Sequence, residues 1–224
     1  MSYLQHVWAH LHKDLQLEWR SRDAVSGMLF FSLLVVVVFS LAFDPTAAMS
    51  RQIAGGILWI ALLFASVTAL NQAWTREQRN QVLDGLRMAP APPSTLFLGK
   101  ALANMLFVTA VEIVMAPLFV VFYNLHVIGE GWLLLLVLPL GTWALVANGT
   151  FFAALGLRTR NRELLLPLVL FPISLPVLLA MIQATTAILT GDSDPLLWIK
   201  MLVGYDIIFT TICILLFETI LNAE

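Results

Sequence analysis

The amino-acid sequence predicts an all-α membrane protein: six transmembrane helices, an N-terminal interfacial amphipathic helix, and a short cytoplasmic helix between spans 2 and 3. Of its 224 residues, 60% are hydrophobic and only 12% are charged, and the mean hydropathy is +0.89. A soluble domain carries about twice that charged fraction. The apolar residues also form long blocks instead of a one-sided stripe, which is the pattern of helices that cross a bilayer.

Six apolar blocks are long enough to span the membrane, since a helix of about 20 residues crosses the hydrocarbon. They must be helices, because the bilayer core offers no water to satisfy backbone polar groups. The blocks cover about 25–43, 53–71, 101–122, 132–155, 164–189 and 197–217. We therefore expect one transmembrane domain over 1–224, with the interfacial helix at 1–24, spans 1 and 2 at 25–71, the cytoplasmic segment at 74–93 and spans 3 to 6 at 95–224.

The basic residues predict the orientation. Ten of the 12 Lys and Arg residues lie before span 1, between spans 2 and 3, or between spans 4 and 5. Only Arg51 and Lys200 fall on the opposite side. Because cytoplasmic loops carry the excess of Lys and Arg, both termini are predicted to be cytoplasmic.

The N-terminal segment has a repeating apolar pattern. Its large apolar residues recur at spacings of three or four and so share a helical face: Leu4, Trp8, Leu11, Leu15 and Trp19. Such a helix is expected to lie in the membrane interface before the chain enters span 1. The segment also holds His6, His10 and His12, but no acidic second shell accompanies them, so solvated histidines are favoured over a metal or haem site.

A polar stretch, "TREQRNQVLDGLRMAPAPP", separates spans 2 and 3. Thr75 and Gln78 have the spacing of a capping box, which predicts a helix that starts just past the membrane. The prolines at 90, 92 and 93 stop that helix, and Ser94 is placed to cap the next one. A bare connector would be shorter, so we favour a rigid lever that docks on a soluble partner over a solvated loop.

The turn between spans 4 and 5 is basic, with Arg158, Arg160 and Arg162 close together. Its charges are explained by membrane topology and by contacts with lipid phosphates. A second cytoplasmic contact with a partner protein is the alternative.

Two carboxylates, Glu112 and Asp206, lie within spans 3 and 6 at similar distances from the predicted outer ends. Because charge in the bilayer is costly, they form a candidate intramembrane polar site, either for a substrate pathway or for a proton relay. Hydrogen bonding between helices is an equally good explanation, with Tyr205, Asn104 or Asn148 as partners. The sequence leaves both explanations open.

No catalytic motif is present. The sequence lacks the Gly-rich phosphate loop of nucleotide hydrolases and the ligand spacing of zinc sites. With only 12 basic residues, placed as topology requires, binding to nucleic acid is not supported. We therefore expect a non-catalytic membrane protein with no metal site.

Two runs carry a family resemblance: "GGILWIALLFASVTALNQAWTREQRNQVLDGLRMAPAPPSTLFLGKALANM" and "GLRTRNRELLLPLVLFPISLPVLLA". Together they resemble the CcmB family, the membrane subunit of the cytochrome c maturation haem exporter, over nearly the whole chain. The resemblance rests on the order and spacing of "GGILWIALL", of the "GK" pair, of the prolines in span 5, and of one cytoplasmic pattern. That pattern consists of Glu77, Asp84, Gly85, Leu86 and Pro90.

The resemblance implies the permease of an ABC transporter in the bacterial inner membrane. ATP-Mg would bind a separate cytoplasmic ATPase subunit, and haem would be the cargo of the complex, with no cofactor held by this chain. Other expected partners are haem-handling membrane subunits, a periplasmic haem chaperone, a second copy of the chain and lipid. The segment between spans 2 and 3 would be the coupling helix, with these residues at the ATPase: Trp74, Glu77, Gln81, Asp84, Gly85, Leu86 and Arg87.

Several alternatives stay open. ATP would drive either transport of haem itself or release of a loaded chaperone, and His126 in an outer loop is a candidate haem ligand. An ABC permease for a lipid or drug would share the same lever. A proton-coupled secondary transporter would need no ATPase and would use Glu112 and Asp206 as its relay.

Overall fold

The computed structural model of the protein is almost wholly helical. It describes residues 2–42, 47–79, 91–126, 129–156 and 162–222, together with Gly85. Within these ranges there are no strands, and one 3-10 turn, Gly131–Leu133, precedes the fifth of seven long helices. The helices are α1 (Tyr3–Ser21), α2 (Asp23–Ala42), α3 (Ala47–Arg79), α4 (Pro93–Tyr123), α5 (Leu134–Gly156), α6 (Arg162–Thr190) and α7 (Leu196–Asn222).

The helices α2 to α7 are each long and apolar enough to cross a membrane. The predicted all-α fold with six membrane-spanning helices is therefore confirmed, and the chain is a multi-pass membrane protein. The predicted spans differ most from the helices where spans 2 and 3 approach the polar stretch. There α3 continues to Arg79, and α4 already begins at Pro93.

The predicted helix start at Thr75 is wrong, because α3 runs through this residue without a break. A capping box is a local signal worth about 1 kcal/mol, whereas the last turns of α3 are held by tertiary contacts of Trp74 and Glu77. The predicted cap at Ser94 is also wrong. Pro92 precedes α4 and Pro93 is its first residue, a position where the missing N–H costs nothing.

The centre of the bundle is built by α3 and α5, which bury the largest share of their apolar windows. Trp59 of α3 is fully buried, and its Nε1 donates a hydrogen bond to Thr185 Oγ1 of α6 at 2.9 Å. A Cβ added to Gly141 of α5 would lie 2.3 Å from the Trp59 ring, and one added to Gly55 would lie 3.2 Å from the carbonyl oxygen of Ile182. Because Gly55 and Gly141 have no side chain, α3 can approach α5 and α6 closely.

The three prolines of α6, Pro167, Pro172 and Pro176, do not divide it, and the helix is continuous from Arg162 to Thr190. The carbonyl of Ile173, in the turn before Pro176, accepts a hydrogen bond from the Tyr205 hydroxyl of α7 at 3.1 Å. A side chain of the neighbouring α7 thus provides a hydrogen bond to a backbone carbonyl in the part of α6 where proline removes a backbone donor.

The glycine contact at Trp59 gives the first testable prediction. Gly141→Ala places a methyl group against the buried ring and should destabilise the protein by about 1–3 kcal/mol. Gly56→Ala is the matched control, because a Cβ there meets nothing within 4 Å; it should be neutral or slightly stabilising. Thermal unfolding of the two variants in detergent, followed by tryptophan fluorescence, measures the difference. Equal unfolding temperatures would contradict the described packing of α3 on α5.

Candidate functional site

The candidate site lies where α3 ends and α4 begins, on either side of the predicted coupling segment. Of the residues proposed to meet an ATPase, the structure describes Trp74, Glu77 and Gly85. Gly85 is helical and exposed. Gln81, Asp84, Leu86 and Arg87 lie outside the described residues.

Trp74 is buried inside the subunit, with only 2% of its surface exposed. Its Nε1 donates a hydrogen bond to the carbonyl oxygen of Thr150 in α5 at 3.1 Å, and its ring centroid lies 6.1 Å from that of Phe217 in α7. The Lys100 ammonium lies 4.8 Å from the same ring, within cation–π range. Trp74 therefore fixes the end of α3 to three other helices instead of facing outward.

Lys100 of α4 is the centre of a charge cluster. Its side chain is 1% exposed, and Nζ lies 2.9 Å from Glu77 Oε1 and 3.1 Å from Asp14 Oδ2. The carbonyl oxygen of Ala73 accepts a further bond at 3.4 Å. Lys13 of α1 also donates to Glu77 Oε1. Buried ions are tolerated when they are paired and hydrogen-bonded, and this cluster pairs them by bringing α1, α3 and α4 together.

Both Glu77 and Lys13 stay charged in this cluster. Burial alone would raise the pKa of Glu77, but Lys100 and Lys13 outweigh burial and lower the pKa below 4.5. Burial alone would lower the pKa of Lys13, but Asp14 and Glu77 raise it above 10.5. The stabilisation from Glu77 is thus lost only as the pH falls below about 4.5, and that from Lys13 only as it rises above about 10.5.

A second branch of the cluster holds the corner between α1 and α2. Arg76 Nη1 lies 3.0 Å from Glu18 Oε2, and Arg76 Nη2 lies 3.4 Å from Asp23 Oδ2. Glu18 Oε1 also accepts a hydrogen bond from the Val25 N–H of α2 at 2.9 Å. The chain turns this corner at Arg22, which has a left-handed backbone with φ of 56°. The end of α3 is therefore tied to both helices that meet there.

The helix α1 lies directly on the backbone of α4. A Cβ added to Gly99 would lie 2.5 Å from His10 Cβ and 3.0 Å from the carbonyl oxygen of Val7. Nearer the start of both helices, the Tyr3 hydroxyl donates to Ser94 Oγ at 3.1 Å. The "GK" pair thus has a physical role, because Gly99 allows the close approach and Lys100 binds the charges that α1 brings.

The apolar face predicted for α1 is divided in the structure. Leu11 is buried in the contact with α4, whereas Leu4, Trp8 and Trp19 are exposed. The helix thus presents one face to the bundle and a second, apolar face outward. Its interfacial position in the membrane remains a prediction.

The remaining candidates are the basic residues between spans 4 and 5 and His126. Arg158 and Arg160 are outside the described residues, and Arg162 begins α6. His126 is exposed, and its Nδ1 lies 3.1 Å from the carbonyl oxygen of Asn124. Among the residues that the structure describes, no group of three His, Cys, Asp or Glu side chains is arranged to hold a metal ion.

The intramembrane carboxylates are both buried but have different surroundings. Glu112 of α4 accepts a hydrogen bond from the Thr142 hydroxyl of α5. It borders a cavity of about 110 Å³ whose other lining residues are almost all apolar. In the described part of the chain, neither carboxylate oxygen of Asp206 has a hydrogen-bond partner. None of the hydrogen bonds between described residues connects the two acids, and a joint role for them stays a prediction.

The partners expected for these acids bond elsewhere. Asn148 Nδ2 donates to the Tyr205 hydroxyl at 2.8 Å, and Asn104 Nδ2 donates to Thr150 Oγ1 at 3.3 Å. The expectation that they pair with Glu112 or Asp206 is wrong. The sequence does not predict Thr142 as the partner of Glu112, because a single threonine in an apolar run does not indicate which residue it contacts.

No local sequence pattern predicts that charged residues of α1 belong to a buried cluster. Lys13, Asp14 and Glu18 look like the solvated side of an amphipathic helix, and Arg76 like a topology charge. One spacing is compatible with burial: Asp14 and Glu18 are four residues apart, on the same helical face as the buried Val7 and Leu11. Their partners are distant in sequence and only the fold brings them together.

These features define a multi-pass helical membrane protein in which the polar segment between the second and third spans is anchored by charges at both ends. The family model described as CcmB protein matches residues 5–221, so the chain belongs to the CcmB family. It is similar to a Heme exporter protein B from Rhodobacter capsulatus, with 34% identity over 76% of this chain and 78% of the relative. Proteins of the same name from Bradyrhizobium diazoefficiens and Pseudomonas aeruginosa are 31% and 30% identical, over 82% of both chains and over 91% and 92%, respectively.

The two lysines that bind Glu77 should differ in their energetic weight. Lys100→Met removes the buried cation of the cluster and leaves Glu77 and Asp14 with only the more exposed Lys13, so it should lower the free energy of unfolding by about 3–5 kcal/mol. Lys13→Met removes a lysine whose side chain is 36% exposed, so it should cost about 1 kcal/mol or less. Thermal unfolding in detergent compares the two variants. Equal losses would show that Lys100 is not the centre of the cluster.

His10 predicts a dependence of stability on pH. Burial, and then the charge of Lys13, lower the pKa of His10 below 6.5 against the opposing effect of Glu77 and Asp14. The folded protein therefore resists protonation of His10, and stability should fall as the pH drops from about 7 to about 5. His10→Gln should remove part of that fall. Unfolding temperatures across this range test it, and identical slopes for the variant and the unmodified protein would contradict it.

Proposed function

We propose that this chain is the permease subunit of an ABC transporter for cytochrome c maturation, in the bacterial inner membrane. It would couple ATP hydrolysis on a separate ATPase subunit to delivery of haem, or to release of a haem-loaded periplasmic chaperone. The observation that carries the proposal is the pair of charge-locked helix ends, Glu77 on α3 and Lys100 on α4, on either side of the coupling segment.

The helix ends on both sides of the proposed coupling segment are stiff. The helices α3 and α4 are each continuous from the membrane into the flanks of the segment at 80–92. The 2.9 Å ion pair between Glu77 and Lys100 joins those flanks. A push on the segment is then carried into two spans as one displacement, because the helix ends cannot yield separately without separating buried charges.

The predicted coupling residues divide into two groups under this proposal. Trp74 and Glu77 are buried and act by holding the segment in place. The contact with the ATPase falls to the rest of the set, which comprises Gln81, Asp84, Gly85, Leu86 and Arg87. Gly85 is exposed, which suits a surface contact. The basic group at Arg158, Arg160 and Arg162 is proposed as a second contact on the same side of the membrane.

The distribution of Lys and Arg supports cytoplasmic termini and a cytoplasmic coupling segment. Six spans are half of a transporter, so we propose two copies in the complex, each a single domain over 1–224. Haem as cargo is supported by the names of the relatives, which are heme exporter proteins. Haem-handling membrane subunits and a periplasmic chaperone would complete the complex, and ATP-Mg would bind the ATPase subunit.

The proposal predicts that Asp84→Lys separates this subunit from its ATPase. The substitution reverses a charge in the coupling segment, so co-purification of the ATPase should fall, and a deletion strain carrying the variant should make little holocytochrome c. Asp192→Lys is the matched control, since it reverses an exposed carboxylate of the loop between α6 and α7 and should leave both readouts unchanged.

Two results would overturn this function. A deletion strain that still makes normal holocytochrome c would exclude the role in cytochrome c maturation and favour another cargo. Transport by the purified chain without an ATPase, abolished by Glu112→Gln or Asp206→Asn, would instead show a proton-coupled secondary transporter.

A further inference from the structure

We infer that α1 is a transmission element that carries motion of the coupling segment to α2, with Gly99, Lys100, Asp14 and Glu18 as positioning residues. This inference rests on the proposed function, because it concerns where the force from the ATPase goes. Membrane anchoring alone would require of α1 only its apolar face.

The helix α1 is attached by ion pairs to both α3 and α4. Its buried side carries Asp14 and Glu18 at a spacing of one helical turn, and each is bound to a different helix. Asp14 binds Lys100 of α4 at 3.1 Å, and Glu18 binds Arg76 of α3 at 3.0 Å. The end of α3 and the start of α4, which flank the coupling segment, are therefore both bound to α1.

The helices α1 and α4 also pack closely against each other. At Gly99 the two helices are so close that even a methyl group would lie 2.5 Å from His10 Cβ. Tyr3 and Ser94 hold a further point nearer the start of both helices. With contacts along this length, α1 cannot roll or slide on α4 without losing its ion pairs.

The far end of α1 is joined to α2 by a short, bridged corner. The corner between α1 and α2 is a single residue, Arg22, and Glu18 bridges it by accepting a hydrogen bond from the Val25 N–H at 2.9 Å. Arg76 spans the same corner by pairing with Glu18 and Asp23. A displacement of α3 at Arg76 therefore reaches α2 by two routes, directly through Asp23 and the packing of α2 on α3, and through Glu18 of α1. The route through α1 also receives the displacement of α4, because Asp14 is bound to Lys100.

Gly99→Ala tests this path because it pushes α1 off α4 without changing any charge. The complex should still assemble and hydrolyse ATP, while the amount of holocytochrome c formed per ATP hydrolysed falls by about 2- to 30-fold, the range expected for loss of one coupling contact. A purely structural role would instead reduce the amount of complex and leave that ratio unchanged. Gly27→Ala on α2, where a Cβ meets nothing within 4 Å, should match the unmodified protein.

Two rescue variants make the test specific. His10→Gly in the Gly99→Ala background removes the Cβ that the new methyl group meets, so it should restore much of the ratio. Lys100→Arg should keep the ratio higher than Lys100→Met, because it preserves the positive charge. Absence of rescue in both cases would overturn the inference.

A distance measurement keeps the inference testable if Gly99→Ala does not fold. Spin labels at the exposed positions Gln16 of α1 and Leu106 of α4, with Cys213 replaced by Ala, report whether the two helices move together. The distance in the full complex should be the same without nucleotide and in the ATP-trapped state. A change between the states would overturn the inference.

The two levels of proposal fail differently. If the unmodified chain neither retains an ATPase nor restores holocytochrome c to a deletion strain, the proposed function fails. If it does both, and Gly99→Ala displaces α1 in the distance measurement with an unchanged ratio, only the role of α1 fails.

Discussion

The burial of one positive charge organises the predicted cytoplasmic end of this protein. Lys100 is 1% exposed, and an ammonium ion held away from water is tolerated only with partners close by. Its carboxylate partners come from Glu77, 23 residues earlier, and from Asp14, 86 residues earlier. Three helices must therefore meet at Lys100 for the fold to form, and the ends of the second and third spans are fixed as a consequence. The two helix ends that flank the predicted coupling segment are thus held by the same buried charge.

Hydropathy predicts the six spans well, because transfer from water to lipid adds up over about 20 residues and a local irregularity changes the sum little. The helix ends beyond the membrane depend on single contacts, and there the prediction fails. Thr75 carries a capping signal, yet α3 passes through it, since Trp74 and Glu77 hold the following turn against α4 and α5. Ser94 fails as a cap for a similar reason: Pro92 and Pro93 already provide the entry geometry of α4.

The sequence predicts where the candidate site lies along the chain, but not that its charged side chains are buried. The polar stretch and the family resemblance locate it between spans 2 and 3, and charged residues in such a stretch are normally solvated. Glu77 is 4% exposed instead, because its cationic partners lie on two other helices. No local pattern in the sequence reveals pairs of this separation. The same limit applies in the membrane, where Glu112 bonds to Thr142 while the more conspicuous Asn148 and Tyr205 bond to each other.

Charges also suit a transmission contact better than an apolar seam would. Two apolar helices can shift along each other with little change in buried area, whereas an ion pair at 3 Å is either made or broken. Replacing buried pairs with apolar residues often preserves stability, so stability alone does not explain why α1, α3 and α4 meet through six charged side chains around Lys100 and Arg76. The register of α1 against its neighbours explains the charges. Gly99 sets how closely α1 approaches α4, and Asp14 and Glu18 set the position of α1 along its own axis. In one such position every charge of the cluster is paired. A contact of that kind transmits displacement instead of absorbing it.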